Sequence, residues 1–141
     1  MPSRIIRDQS RRSKTLDQLS DFAERSWWRL ITICDDFGCF EADFDLLISD
    51  LYPLKARKMK PPQIAAVCRE LQQVGLVRFY TDGEKIYGWC LSWEKHQRAR
   101  ESKRKYPKPD ECETIDIAKS RQVAASRGKS RQVAARARAH A

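Results

Sequence analysis

The stretch PPQIAAVCRELQQVGLVRFYTDGEKIYGW, residues 61 to 89, decides the fold. It begins with two prolines, which suit the first positions of a helix because those positions need no amide donor and proline already holds the helical φ. Apolar residues then recur at helical spacing, which predicts one buried face, and the pattern stops at Gly75. The predicted buried face consists of Ile64, Val67, Cys68 and Leu71.

After Gly75 the apolar period becomes two, in the segments LVRFY and KIYGWC, and Asp82-Gly83 joins the two segments. That dipeptide favours a two-residue type I′ turn, so the sequence predicts a β-hairpin in which Phe79 faces Ile86. In this register one face of the hairpin turns toward the helix and the other is basic and aromatic. The predicted outer face consists of Arg78, Tyr80, Lys85 and Tyr87.

A helix followed by a twisted hairpin with such a face is the second half of a winged helix-turn-helix, in which the helix enters the DNA major groove. We therefore predict a mainly α protein with a small β-hairpin (α+β class), built as a winged helix-turn-helix with basic flanking arms. The predicted divisions are a basic arm at 1–12, a winged-helix domain at 13–93, a basic extension at 94–118 and a disordered basic tail at 119–141, in which KSRQVAA occurs twice.

Three residues before the deciding stretch are typical helix caps: Ser13, Ser20 and Asp43. They predict a short helix over KTLDQL, a longer helix from residue 21 that Gly38 closes, and a third helix near 44–51. The segment 39–41 predicts a short first strand of the kind that many winged domains pair with the hairpin.

The charge of the chain is concentrated on its flanks. The net charge is +9, yet residues 20–92 carry nine basic and eleven acidic side chains, whereas residues 93–141 carry fourteen and six. A near-neutral centre with cationic flanks suits a polyanionic partner. A solubilising surface accounts for the composition equally well.

The five cysteines are odd in number and contain no Cys-x-x-Cys pair, so we expect reduced thiols in a cytoplasmic protein. With only two histidines, one of them in the tail, we expect no metal, no cofactor and no catalytic site. No apolar run approaches the ~20 residues of a membrane span, and the start of the chain lacks the apolar core of a signal peptide.

The candidate DNA contacts fall into three groups. Lys58 and Lys60 precede the Pro61 helix, and Gln63, Arg69 and Gln73 lie on its polar face. Gln63 is the candidate for reading a base edge, because glutamine pairs with adenine through two hydrogen bonds. Arg78 and Lys85 lie on the wing, and the extension adds Lys95, Arg98, Arg100, Lys103, Arg104 and Lys105, which would follow the phosphate backbone.

Three motifs in the chain are DDFG followed by FEAD, LYPLK, and WEKHQR. Together with the PPQIA helix they make residues 15–110 resemble the N-terminal winged-helix module of phage and prophage replication-initiation proteins, and in the same way the N-terminal domain of DnaD-type replisome organisers. The resemblance implies a cytoplasmic protein that binds origin DNA and helps to recruit replication machinery, often as an oligomer, without catalytic residues. Such proteins usually continue into a second domain that contacts a helicase loader, so DNA binding is the activity carried over.

The leading hypothesis is thus a DNA-binding winged-helix protein of prophage replication, with double-stranded DNA as its main partner. Single-stranded DNA, a helicase loader or another replication protein, and a second copy of the chain are further candidate partners; a membrane is not. Two alternatives keep the fold: a phage transcriptional regulator, and a protein-interaction module whose cations are incidental. An enzyme is the least favoured class.

Overall fold

The structure is a computed structural model that describes residues 3–97 and 103–123. A 3₁₀ helix at Asp8–Arg12 precedes α1 (Lys14–Asp17), α2 (Asp21–Ile33), β1 (Cys39–Glu41), α3 (Phe44–Leu51) and α4 (Pro61–Gln73). The hairpin strands β2 (Val77–Thr81) and β3 (Ile86–Cys90), then α5 (Trp93–His96) and β4 (Glu113–Ile115) follow, with 3₁₀ turns at Pro109–Glu111 and Ile117–Lys119. The predicted α+β class is confirmed.

The four strands form one antiparallel sheet in the order β1-β3-β2-β4. The helices supply most of the core, which includes the predicted face of α4, and the side chains of Phe40, Val77, Phe79 and Cys90 reach into it from the sheet. Gly88 faces Phe40 across the β1–β3 ladder, and a Cβ at Gly88 would overlap the Phe40 ring. The sheet is therefore packed so closely at this point that only glycine fits.

The predicted helix caps are confirmed. The side-chain oxygens of Ser13, Ser20 and Asp43 accept hydrogen bonds of 3.1–3.2 Å from backbone N–H groups of the first turns of α1, α2 and α3. The prediction that Gly38 closes α2 is wrong, because the helix ends at Ile33. Asp35 Oδ1 instead accepts N–H bonds from Phe37 and Cys39, and this closes a separate turn in which Gly38 has φ +83°.

The predicted hairpin register is also wrong, by two residues. Thr81 pairs with Ile86 and Tyr80 with Tyr87, so the loop has four residues, 82 to 85, instead of two. Asp82 Oδ1 accepts the N–H groups of Glu84 (2.9 Å) and Lys85 (2.9 Å), which stabilises the longer loop. A shift of two residues leaves every side chain on the face predicted for it.

The aromatic part of the hairpin's outer face is covered, contrary to expectation, while Arg78 and Lys85 stay exposed. The Tyr80 hydroxyl donates to the Pro107 carbonyl (2.7 Å), Tyr106 lies 6.0 Å from the Tyr87 ring, and β4 pairs with β2. Tyr80 and Tyr87 are accordingly 0% and 7% exposed. Residues 106–107 contact the hairpin and β4 joins its edge, so the fold extends beyond the predicted domain end at residue 93.

The first residues of the predicted disordered tail are packed as well. Ile117 is fully buried, and Ser120 and Val123 are buried beside it. The Gln122 side chain donates to the Ala42 carbonyl (2.6 Å) and accepts the Phe44 N–H (2.8 Å). Residues 119–123 therefore belong to the fold, and the rest of the predicted tail, 124–141, lies outside the described residues.

The predicted basic arm is docked at its start. The Arg4 guanidinium donates to the carbonyls of Cys34 (2.7 Å) and Ile31 (3.3 Å), lies 3.2 Å from Asp36 Oδ1 and covers the Trp93 ring at 4.9 Å. Arg4 thus satisfies backbone carbonyls at the C-terminal end of α2, where helical carbonyls lack intrahelical donors.

Candidate nucleic-acid interface

The turn between α3 and α4 is held in one conformation by its own backbone. The N–H groups of Lys58 (2.9 Å) and Met59 (3.0 Å) both donate to the Lys55 carbonyl, and Lys55 N–H donates to Tyr52 (3.0 Å). Ala56 and Met59 pack against the core. The charged side chains of the turn consequently project from a fixed backbone.

These charges are of one sign. From residue 51 to 69 the sequence has no acidic residue, and all five cations in it are exposed: Lys55, Arg57, Lys58, Lys60 and Arg69. None of the five forms an ion pair with any residue in the described part of the chain. The absence of acids over this run was readable from the sequence, and it identifies Lys55 and Arg57, which the predicted site left out.

The entrance of α4 offers few free amide donors. Pro61 and Pro62 have no N–H, and the N–H of Gln63 is bonded to the Lys60 carbonyl (3.0 Å). Gln63 Oε1 in turn accepts the Lys60 N–H (2.7 Å), so one acceptor position of this side chain is already used within the helix entrance. Phosphates near this helix entrance would meet mainly side-chain cations.

The open face of α4 is a narrow strip made of Pro62, Ala66, Arg69 and Gln73. On one side Glu70 accepts the N–H and hydroxyl of Ser20, each at 2.8 Å. On the other side Gln72 donates to Asp116 (2.9 Å) and accepts the N–H of Ile117 (2.8 Å). Arg69 and Gln73, both predicted contacts, lie on the part of the helix that remains accessible.

The wing carries less positive charge than predicted. Lys85 lies 3.7 Å from Glu41, and the loop also holds Asp82 and Glu84. Hydrogen bonds from the backbone N–H groups of Lys85 and Glu84 lower the pKa of Asp82, which therefore stays ionised at neutral pH. Arg78 is exposed, with its guanidinium 5.6 Å above the Trp89 ring. The hairpin loop, residues 82–85, is thus net acidic.

The extension is engaged with the sheet. Arg104 lies over the Phe37 ring at 4.3 Å and 3.9 Å from the Cys39 sulfur, and Lys105 lies 5.5 Å from the Tyr106 ring. Lys95 and Lys103 are exposed, while Arg98 and Arg100 lie outside the described residues. Arg104 consequently anchors the segment that covers the hairpin, a role that its place in a basic run did not indicate.

The remaining chemistry of the described residues is sparse. Burial raises the pKa of the Cys68 thiol to about 12, and Cys34 and Cys90 lie with their sulfurs 3.9 Å apart beneath the surface. Within residues 3–97 and 103–123 no group of three or more His, Cys, Asp or Glu side chains is placed to hold a metal ion. No helix in these ranges is long and apolar enough to cross a membrane.

Comparison with known proteins returned no match: no family model, no curated protein and no solved structure is significantly similar to this chain.

Proposed function

We propose that this protein is a winged-helix DNA-binding protein of phage or prophage replication initiation, and that it contacts duplex DNA through α4 and the turn before it. The observation that carries the proposal is the fixed, acid-free turn, whose exposed cations form no ion pair with residues 3–97 or 103–123. Lys and Arg side chains that neutralise phosphates provide most of the sequence-independent affinity of DNA-binding proteins. This surface has that composition at the entrance of a helix with an open outer strip.

The order of the elements supports the winged-helix part of the proposal. A helix, a short strand, two helices and a hairpin follow one another, and β1 pairs with β3, the second strand of the hairpin. In a winged helix-turn-helix, α4 would be the recognition helix. Arg69 and Gln73 would then face base edges from its open strip, while Lys55, Arg57, Lys58 and Lys60 contact phosphates.

The replication part of the proposal rests on the resemblance of three motifs, and two of those motifs touch in the structure. Trp93, from WEKHQR, donates its indole N–H to the Asp36 carbonyl of DDFG (2.9 Å). Gly38, the last residue of DDFG, packs against the Trp93 ring, where a Cβ would approach it to 2.6–2.8 Å. The shared motifs therefore describe one packed unit, and this supports a common fold more directly than a common DNA site.

The proposal is tested by the salt dependence of duplex binding. The variant Arg57→Gln/Lys58→Gln/Lys60→Gln removes three cations from the turn, and Arg11→Gln/Arg12→Gln/Lys14→Gln removes three exposed cations from the N-terminal helices. Fluorescence anisotropy on a duplex across a salt series gives the log–log slope, which changes by about 0.9 for each phosphate that the protein no longer neutralises. We expect the first variant to flatten the slope by about 2 to 3 and the second to change it by less than ~1.

Equal slopes for the two variants and the parent chain would exclude the turn from the DNA contact and with it this proposal. A replication initiator and a transcriptional regulator both need affinity for duplex DNA. A regulator would in addition bind a two-fold operator as a dimer, which a footprint with sedimentation detects.

One observation favours a second candidate, the protein-interaction module. Leu54 is 98% exposed on the same turn, and a leucine held fully in water on an ordered backbone is available for an apolar contact. Sedimentation of Leu54→Ser beside the parent chain tests whether this residue holds two copies together. A module of this kind would show no duplex affinity above that of a generic cation at physiological salt.

A further inference from the structure

A cavity of about 340 Å³ lies between the N-terminal segment, α2 and the residues that follow β3. Small-molecule sites span roughly 300–1,000 Å³, so this volume suits one small ligand. None of the residues that line it belongs to the cationic turn or to α4. The cavity is therefore separate from the proposed duplex surface.

Three tryptophans contribute to the lining of the cavity. Trp27 and Trp28 line it from α2, both partly exposed, and Leu16 and Ile31 extend the apolar surface. Neither indole N–H of the two tryptophans has a hydrogen-bond partner in the described ranges, and Trp93 contributes a third aromatic side chain. Such a surface favours a flat, polarisable group that stacks on an indole.

The polar side chains that line the cavity favour an anion. No lining residue is acidic, and Arg7 is the one lining side chain with a permanent positive charge. Arg7 is exposed and forms no ion pair within the described part of the chain. Guanidinium groups bind phosphate through paired, charge-assisted hydrogen bonds.

The cavity is formed before any ligand arrives. Gln97 closes one side by donating to the Ile5 carbonyl (2.8 Å) and accepting the Ile5 N–H (2.8 Å). Arg4 fixes the same segment against Trp93 and the end of α2. Little conformational ordering is thus needed on binding, which favours affinity for a small ligand.

We propose that this cavity binds one nucleotide, with the base stacked on Trp27 or Trp28 and the phosphate on Arg7. A purely apolar ligand would leave Arg7 and the indole N–H groups unused, and an acidic peptide would leave the aromatic walls unused. A nucleotide supplies both the flat ring and the phosphate. The same chemistry is present in a free mononucleotide and in one residue of single-stranded DNA.

The test uses the intrinsic tryptophan fluorescence of the full chain. Deoxyadenosine monophosphate and an oligothymidylate are titrated separately into the parent chain, into Arg7→Gln and into Arg12→Gln. Arg12 is the matched control, because it lies in the 3₁₀ helix that directly follows Arg7, is exposed and does not line the cavity. We expect saturable quenching that Arg7→Gln weakens by about tenfold or more and Arg12→Gln by less than ~2-fold.

The two ligands distinguish the two sources of the nucleotide. Tighter binding of the oligonucleotide, by about tenfold or more, assigns the site to single-stranded DNA, and equal binding assigns it to a free nucleotide. Absence of saturable quenching by either ligand, or equal weakening by Arg7→Gln and Arg12→Gln, would overturn the proposal. Arg57→Gln/Lys58→Gln/Lys60→Gln should leave the quenching by deoxyadenosine monophosphate unchanged, so the mononucleotide titration is independent of the duplex experiment.

Discussion

Replacement of Arg4 by alanine should destabilise the whole fold, although Arg4 is the fourth residue of a segment that composition identifies as a basic arm. Its side chain is 5% exposed and that of its partner Asp36 is 9% exposed. The same guanidinium donates to the carbonyls of Ile31 and Cys34 and covers the Trp93 ring. Arg4 thus connects the N-terminal segment, the end of α2 and α5.

The expected cost follows from what the substitution leaves behind. Removing one partner of a buried ion pair costs up to about 3–5 kcal/mol, because the remaining charge stays buried and loses that partner. Each carbonyl that loses its donor adds about 1 kcal/mol. Water can enter the space that the arginine side chain vacates near the surface, and this lowers the cost for the carboxylate and for the carbonyls. We therefore expect a loss of about 3 kcal/mol in the free energy of unfolding. For a domain of this size that corresponds to a fall in Tm of about 10 °C.

Urea denaturation followed by tryptophan fluorescence measures this loss. Arg11→Ala is the control, since Arg11 is exposed and unpaired among the described residues, and we expect it to change stability by less than ~0.5 kcal/mol. Arg4→Lys should recover only part of the loss, because lysine cannot reach both carbonyls and the carboxylate with one planar fork. Equal stability of Arg4→Ala and Arg11→Ala would show that the N-terminal segment is not docked.

Three further predictions concern the sheet and the thiols. Gly88→Ala should destabilise the fold by about 2–3 kcal/mol in the same assay, because its methyl group overlaps the Phe40 ring, and Phe40→Leu in the same chain should recover part of the loss. Burial raises the pKa of Cys39 to about 11 and that of Cys68 to about 12 from 9.0. The stability that these neutral thiols contribute is therefore fully present below pH 9 and is lost as pH rises through those values. Cys68→Ala should reduce this alkaline loss of stability, and an unchanged pH profile would contradict the prediction. A chain that ends at residue 97 loses β4 and the buried Ile117, and it should unfold at lower urea or aggregate, whereas native stability would refute the role of the covering segment.

Much of the fold was predictable because its signals are local. Ser20 and Asp43 cap helices through contacts three residues away, and the apolar spacing of α4 selects its buried face without knowledge of the rest of the chain. The two faces of the hairpin were predicted correctly although the predicted loop was two residues too short, because a register shift by an even number of residues leaves each side chain on its face. Asp82 stabilises the four-residue loop, because its side chain accepts hydrogen bonds from two backbone N–H groups. The preference of Asp-Gly for a two-residue turn does not take these hydrogen bonds into account.

The missed features depend on contacts between distant parts of the chain. β4 has only three residues and pairs with a strand more than thirty residues earlier, so the apolar periodicity of the sequence does not predict it. The burial of Tyr80 under residues 106–107 accompanies that pairing, and it places the aromatic part of the predicted outer face in the interior. Arg4 meets carbonyls 27 and 30 residues away. A charged residue near the start of a chain carries no sign of such partners.

The predicted contact residues also fall into two groups, those whose surroundings follow from local sequence and those whose surroundings depend on distant parts of the chain. The turn and the outer strip of α4 kept their predicted exposure because charged and polar residues on a helix face outward when the apolar face is buried. Lys85 and Arg104 are exposed as well, but each has a partner within the fold: Lys85 pairs with Glu41, and Arg104 lies over the Phe37 ring. Positive residues in a basic run are thus separable into contacts and anchors only after the neighbouring chain is placed.

In the proposed function, duplex DNA contacts the turn before α4 and the strip of Arg69 and Gln73, and the hairpin loop at residues 82–85 takes little part. The most direct measurement is an NMR titration of the ¹⁵N-labelled full chain with a short duplex, read as chemical-shift changes by residue. We expect the largest changes at residues 55–60 and along the α4 strip, with small changes at residues 82–85. Changes centred on residues 82–85, with none in the turn, would contradict the account.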